Sequence, residues 1–242
     1  MTPNPVATSA GRRLHLAQIL FSQGFGTRRI CVGLVANGLV TWHGEVLRDP
    51  QQELPTTDLV LRVQGRDWPY RERALIMLHK PAGFECSQKP KHHPSVMSLL
   101  PEPLRTRGVQ PIGRLDEDTT GLLLFTDDGA LIHRWTSPKH HVPKVYEVGL
   151  RHAVSDAQLA ALRDGVVLDD DPAPVRAAAC VASGEQSLQL TLVEGKYHQV
   201  KRMVAAAGNR VETLHRSEFG RLVLPEDLPA GQWRWVLPQD VA

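Results

Sequence analysis

An α+β protein is the fold class this sequence predicts, with a small domain of helices and short strands ahead of a larger domain built on a mixed, mostly antiparallel sheet. Three observations predict it. Residues 12–63 place two helical stripes before several short strand-like runs. Residues 74–242 mix short strands and helices without the regular βαβ alternation of a parallel sheet. Between them, residues 64–73 (QGRDWPYRER) are polar and basic and carry a proline, which reads as a linker and sets the domain boundary.

Residues 1–11 are polar and proline-bearing with no apolar signal-peptide core, so they read as a disordered tail. Leu14, Leu16, Ile19, Leu20 and Phe21 then form a helical stripe that Gly24 ends. Thr27 is placed to cap a second helix, Arg28 to Ala36, which Asn37 and Gly38 close. Leu39 to Trp42, Glu45 to Leu47 and Leu59 to Val63 read as strands, the first two joined by a His43-Gly44 turn. In the larger domain the expected strands are Ala74 to Leu78, Gly121 to Thr126, Lys144 to Leu150, Val175 to Val181, Ser187 to Val193 and Val211 to His215. The expected helices are Ala130 to Trp135, Asp156 to Arg163 and His198 to Ala207, the last stopped by Gly208-Asn209.

Bulk properties remove several classes. No apolar run approaches the roughly eighteen residues of a membrane helix; the longest, such as Ala74 to Leu78, are strand-sized. Cys31, Cys86 and Cys180 are far apart, odd in number and without CxxC spacing, which argues against a disulfide framework or cysteine zinc site and suits the reducing cytoplasm. The net charge of +2 is small, but nine arginines face six acids in residues 1–73, and Glu194 to Arg216 holds five basic residues against two acids. Two basic islands on a near-neutral chain fit a polyanion held at two places, although on charge alone solvated surface is the simpler account.

Three stretches carry possible chemistry: Gly113 to Gly129 (GRLDEDTTGLLLFTDDG), Lys144-Val145-Tyr146, and Glu194 to Met203 (EGKYHQVKRM). The first has some of the spacing of an EF-hand calcium loop, but Asp127 is too short for the bidentate last position and an apolar strand pattern runs where a helix belongs. Glu117 and Asp118 read as decoration of a surface turn. Asp116 stands apart because Thr119-Thr120-Gly121 returns the chain at once into a buried strand, which gives its carboxylate a defined direction. Near an RNA backbone such a group needs a basic partner to stay ionised. Lys196, His198, Lys201 and Arg202 fall on or just before a helix start, where anions are favoured. The adjacent pairs His92-His93 and His140-His141 lack chelating spacing, so no metal site is expected.

These segments closely resemble the signature blocks of the pseudouridine synthases that modify ribosomal RNA. GRLDEDTTGLLLFTDDG, LHKPAGFECS (Leu78 to Ser87), TSPKHHVPKVY (Thr136 to Tyr146) and EGKYHQVKRM occur in that family's order, and the likeness covers nearly the whole chain from Arg12. GFGTRR (Gly24 to Arg29) and NGLVTWHGE (Asn37 to Glu45) resemble the S4 RNA-binding module, with Leu14-His15 departing from its usual opening. The resemblance implies an S4-like domain over residues 12–63 and a pseudouridine synthase catalytic domain over 74–242. It implies Asp116 as the essential aspartate, Tyr146 as the aromatic that stacks on the target uracil, and Lys201, with Arg202 as the alternative, as the cation paired with Asp116. Basic residues within the blocks, namely Arg28, Arg29, Arg114, Lys139, His140, Lys144, Lys196, His198 and Arg202, are the expected RNA contacts.

Converting uridine to pseudouridine breaks the N1–C1′ bond, turns the base and rejoins it through C5, so no cofactor is expected. Unstacking the target base costs a few kcal/mol, and an aromatic such as Tyr146 returns roughly 1–3 kcal/mol by stacking. Asp116 serves either as nucleophile at C1′ or as base on the sugar; the residues leave both open. The Lys-His-His run and YHQVKRM most resemble members acting on small-subunit (16S) rRNA, with large-subunit (23S) rRNA as the alternative target. A cytoplasmic monomer without membrane contact is the expectation, with ribosomal RNA as partner, either 16S rRNA itself or a small-subunit assembly intermediate. The rivals are a non-catalytic RNA-binding protein, which needs no joint presence of Asp116, Tyr146 and Lys201, and a metal-dependent hydrolase, which needs further ligands around Asp116.

Overall fold

The computed structural model describes residues 12–169 and 171–241; the expected tail, residues 1–11, lies outside them. Contacts divide the chain into two compact units: one holds the residues up to Glu72 together with Pro101–Gly108, the other Arg73–Leu100 and the chain from Val109 onward.

The first unit runs β1 (Arg13–His15), α1 (Leu16–Ser22), α2 (Arg28–Ala36), β2 (Val40–Trp42), β3 (Glu45–Val46), β4 (Glu53–Pro55), β5 (Val60–Val63) and β6 (Arg66–Pro69), and is joined by α3 (Glu102–Thr106) from later in the chain. The helical stripe becomes core: Leu16, Ile19 and Leu20 are fully buried and pack in one cluster with Cys31, Val35, Val40, Leu54 and Leu61. Thr27 caps α2 as its sequence position predicts, its side chain accepting from the Ile30 N–H. Residues 66–69, expected within a linker, form a strand instead. A Gln64-Gly65 turn with both φ values positive folds β6 back onto β5, and Trp68 is buried. Nor does the second unit run unbroken from residue 74. Arg107, just past α3, donates to Gln23 Oε1 at 2.9 Å and to the Arg71 carbonyl at 3.0 Å. Gly24, at φ +86°, has the Pro103 carbonyl where a Cβ would sit, so only glycine allows α3 this close.

The second unit contains β7 (Leu75–Lys80), β8 (Gln110–Pro111), β9 (Thr120–Thr126), α4 (Gly129–Thr136), β10 (Lys144–Leu150), α5 (Asp156–Asp164), β11 (Val166–Leu168), β12 (Asp171–Val175), β13 (Ala179–Gly184), β14 (Ser187–Leu192), α6 (Gln199–Ala206), β15 (Val211–Phe219), β16 (Leu222–Val223), β17 (Trp233–Trp235) and α7 (Pro238–Val241). Its main sheet has the order β13-β14-β10-β15-β9-β7-β17, with β16 on β15 and β8 on β9. Every pairing is antiparallel except β9 with β15, so the mixed, mostly antiparallel sheet is as expected. Strict alternation along β10 buries Lys144, Tyr146, Val148 and Leu150 on one face.

Two strands differ from expectation. The run Val175 to Val181 is not continuous: β12 ends at Val175, and the Ala177 and Ala178 N–H groups bond to Leu162 and Thr191 before β13 begins. Strand β15 continues four residues past His215: Arg216 pairs with Tyr146 in unbroken register with Thr213 to His215, and a register shift follows between Tyr146 and Val145. Among the described residues no helix is long and apolar enough to cross a membrane.

Candidate active site

Asp116 sits in the loop between β8 and β9. Strands flank that loop where an EF-hand would have helices. The turn is closed by the Thr119 N–H on the Asp116 carbonyl and is held from beneath by Lys80. The Lys80 ammonium, fully buried, donates to the carbonyls of Pro81 (3.1 Å), Asp116 (2.9 Å), Glu117 (3.2 Å) and Thr119 (2.8 Å). Burial pulls its pKa down, while the nearby thiol and carboxylates act against that. Four carbonyl dipoles converging on one ammonium fix the backbone of the loop and so the direction in which Asp116 projects.

The carboxylate meets the other end of the unit's sequence. Lys201 on α6 lies 3.3 Å from Asp116 Oδ2, and His198 Nε2 lies 3.3 Å from Oδ1. The Lys201 ammonium also donates to both carboxylate oxygens of Asp118, at 2.7 and 2.8 Å. Asp118 is therefore not mere surface decoration: with Asp116 it forms a two-carboxylate clamp on one lysine. Burial opposes the charge on Asp118, but the hydrogen bonds and charge of Lys201 outweigh it and hold the carboxyl below its usual value. Lys201 is disfavoured by burial and favoured more strongly by Asp118 and Asp116, so its pKa rises. His198 is the N-cap of α6 in the left-handed region, φ +47°, and its ring stacks at 3.8 Å on Tyr197, which is 74 % exposed. The expected helix begins at His198; the structure makes that residue the bent N-cap instead, with its imidazole beside Asp116.

These groups open onto a cavity of about 970 Å³, large enough for a nucleotide, whose wall includes Asp116, Tyr146, Lys201 and His198. Arg114, exposed, and Lys196 stand on the same wall. Lys144 also lines it, but not as an exposed phosphate contact: its ammonium is buried and donates to the Val142 carbonyl at 2.9 Å. Burial, and secondarily the charge of Arg216, lower its pKa to about 8 against the pull of Glu194. Lys139 and His140 lie exposed on the 3₁₀ turn Pro138–His140, off the cavity wall. Arg202 donates to the Tyr197 carbonyl, and it is Lys201 that reaches Asp116. Arg28 and Arg29 are exposed on α2 of the first unit, Arg28 over the Phe21 ring at 5.1 Å.

Sequence reasoning missed four features. The Lys80 cage sits inside LHKPAGFECS, a block whose residues carried no assigned role. His198 was named with Lys196, Lys201 and Arg202 as a basic candidate beside Asp116 and then assigned to RNA, so its own contact with the carboxylate was not singled out. Glu85 accepts from the backbone N–H groups of Lys91, His92 and His93 and so ties down the loop bordering the cavity. Arg216 is buried on the cavity wall, in a strand expected to end before it.

Comparison with known proteins agrees with this architecture. The RNA pseudouridylate synthase family matches residues 74–206. Ribosomal small subunit pseudouridine synthase A of Yersinia pestis is 40% identical over 228 residues, covering 91% of this chain and 94% of that protein. The protein of the same name from Escherichia coli strain K12 is 38% identical, covering 91% and 96%. A solved structure described as a pseudouridylate synthase superposes with a TM-score of 0.66 at 34% identity, covering 94% of this chain and 98% of that one. With a matching family domain and relatives of this identity along nearly its full length, the chain belongs to the RNA pseudouridylate synthase family and is an RNA pseudouridine synthase.

Proposed function

We propose that the protein isomerises a specific uridine of small-subunit (16S) ribosomal RNA to pseudouridine in the cytoplasm, acting as a monomer with Asp116 as its essential carboxylate. The observation that carries this reading is the Asp116 carboxylate held at 3.3 Å by both Lys201 and His198 on the wall of a nucleotide-sized cavity that also contains Tyr146. The name shared by the Yersinia pestis and Escherichia coli relatives supports the small-subunit target.

In this mechanism the uridine leaves its stack and enters the cavity, where Tyr146 supplies an aromatic face. Lys201 and His198 hold Asp116 aimed. Asp116 then either bonds to C1′ as the N1–C1′ bond breaks or takes the C2′ proton; each is undone when C5 joins C1′. The C5 proton is lost and N1 gains one, so nothing is consumed. The first unit, as an S4-like domain with Arg28 and Arg29, grips the surrounding RNA, and Arg114, Lys196 and Arg202 contact phosphates nearer the cavity.

Pseudouridine mapping of small- and large-subunit rRNA, in cells with and without the protein, tests the reading. The expected result is loss of one small-subunit modification, restored by wild type but not by Asp116→Asn. Purified Asp116→Asn keeps RNA affinity within about threefold, since it removes charge but little volume. Loss of a large-subunit modification instead moves the target. Appreciable turnover by Asp116→Asn removes the assignment of the carboxylate.

A further inference from the structure

The cavity contains a second charged feature that the Asp116 cluster does not use. Arg216 is 2 % exposed, its Nε donates to the Leu122 carbonyl at 2.8 Å, and its Nη2 is buried with no hydrogen-bond partner. Among the described residues no carboxylate forms a salt bridge with it. Its guanidinium lies over the Phe219 ring at 5.5 Å and belongs to the cavity wall. The sheet places it deliberately. Arg216 is the direct cross-strand partner of Tyr146, so their side chains leave the same face, and Gly121 on β9 lets the Arg216 backbone approach where any Cβ would collide with it. Lys144 stands two positions from Tyr146 on that face, also buried and bonded only to a backbone carbonyl. Two desolvated cations therefore share the Tyr146 face of the sheet, both over the Phe219 ring.

A buried guanidinium with an idle N–H is costly to keep unless something supplies the missing acceptor. With the sugar of a nucleotide at the Asp116 carboxylate, as the proposed reaction requires, the part set against Tyr146 is the base. Heterolysis of N1–C1′ leaves the bond's electron pair on uracil, where it spreads onto the two carbonyl oxygens. The pair is spent again when C5 bonds to C1′, after which the C5 proton departs and N1 is protonated. We infer that Arg216 is a further catalytic residue, its Nη2 donating to a carbonyl oxygen of the flipped uracil and stabilising the charge that develops there as the glycosidic bond breaks. The inference rests on the proposed reaction at this cavity. Arg216 exchanges no proton, and the positive field of Lys144 adds to its own.

The test uses RNA bearing uridine, 2-thiouridine or 4-thiouridine at the mapped position, turned over by wild type, Arg216→Gln and Arg216→Lys. Because the charge exists only in the transition state, Arg216→Gln lowers kcat by about 10²–10³ with little change in KM. Sulfur accepts hydrogen bonds poorly and also changes the leaving ability of the base, but the second effect is common to all three proteins. For one of the two carbonyls the thio-to-oxo rate ratio should thus differ between wild type and Arg216→Gln by about tenfold. Circular dichroism and melting establish that the variant is folded. If the Gln variant is not, the same ratio is read on Arg216→Lys, which keeps the charge but not the Nη2 geometry. Ratios that agree within about twofold at both carbonyls overturn the role of Arg216. Absence of pseudouridine formation by wild type overturns the reaction instead, so the two failures are distinct.

Discussion

At the scale of single residues, the second unit keeps charge in places where charge is expensive, and each instance has a measurable consequence. Lys80 binds four carbonyls, so Lys80→Met strands acceptors as well as removing a cation. Urea denaturation should show a loss of roughly 3–5 kcal/mol, and turnover should fall with it because the Asp116 loop loses its floor. Lys144 has the opposite economy. Its pKa is about 8 in the fold against 10.5 for an ordinary lysine. Below pH 8 folded and unfolded chains both hold the proton; between 8 and 10.5 the unfolded chain holds more, so this group makes the protein more stable as pH rises. From pH 7.5 to 9.5 wild type should gain at most about 2 kcal/mol relative to Lys144→Met. Parallel stability profiles for the two proteins would show that Lys144 is not the titrating group.

At the scale of elements, caps and close approaches determine what can be read locally. Thr27, Asn37 and Gly38 mark α2 from Arg28 to Ala36 without help from the rest of the chain, because cap hydrogen bonds are made within four residues. Strand β10 was equally legible, since its alternation survives between two neighbours. The stretch 175–181 was not: apart from Arg176 its residues are apolar, and hydrogen bonds to Leu162 and Thr191 divide it. Gly121 lies between these cases. Its φ of +107° and the Arg216 backbone beside it both exclude a side chain, so Gly121→Ala should cost at least about 2 kcal/mol in urea denaturation. It should also lower turnover by displacing the strand that carries Arg216. Unchanged melting in that variant would mean that the two strands separate without cost.

For the whole molecule, the charge asymmetry and the two units suggest a division of labour. Residues 1–73 hold nine arginines against six acids, whereas the cavity lies wholly in the second unit. RNA affinity should fall linearly with salt on logarithmic axes, with a slope set by the number of phosphates contacted. Deleting residues 1–70 should weaken affinity and flatten that slope more than it lowers turnover at saturating RNA. Equal collapse of affinity and saturated turnover would remove the division. The deletion also takes Gln23 from Arg107, so the segment around α3 should show increased hydrogen exchange even if the sheet does not.

What the sequence by itself determined is local: period-two and helical patterning, caps and turns, and the isolation of Asp116 at a tight return into an apolar strand. These depend on interactions within a few residues, and they define the α+β class and the loop that presents the carboxylate. The tertiary structure alone decided what surrounds it. Lys201 meets Asp118 across 83 positions and Lys80 meets the Asp116 carbonyl across 36, while Arg216 faces Tyr146 only through the pairing of β15 with β10. A lysine or arginine inside an apolar strand has no local signal for which carbonyl or cavity it will meet. Strand order and register settle that, and both are set by burial summed over the whole sheet rather than by any neighbouring residue.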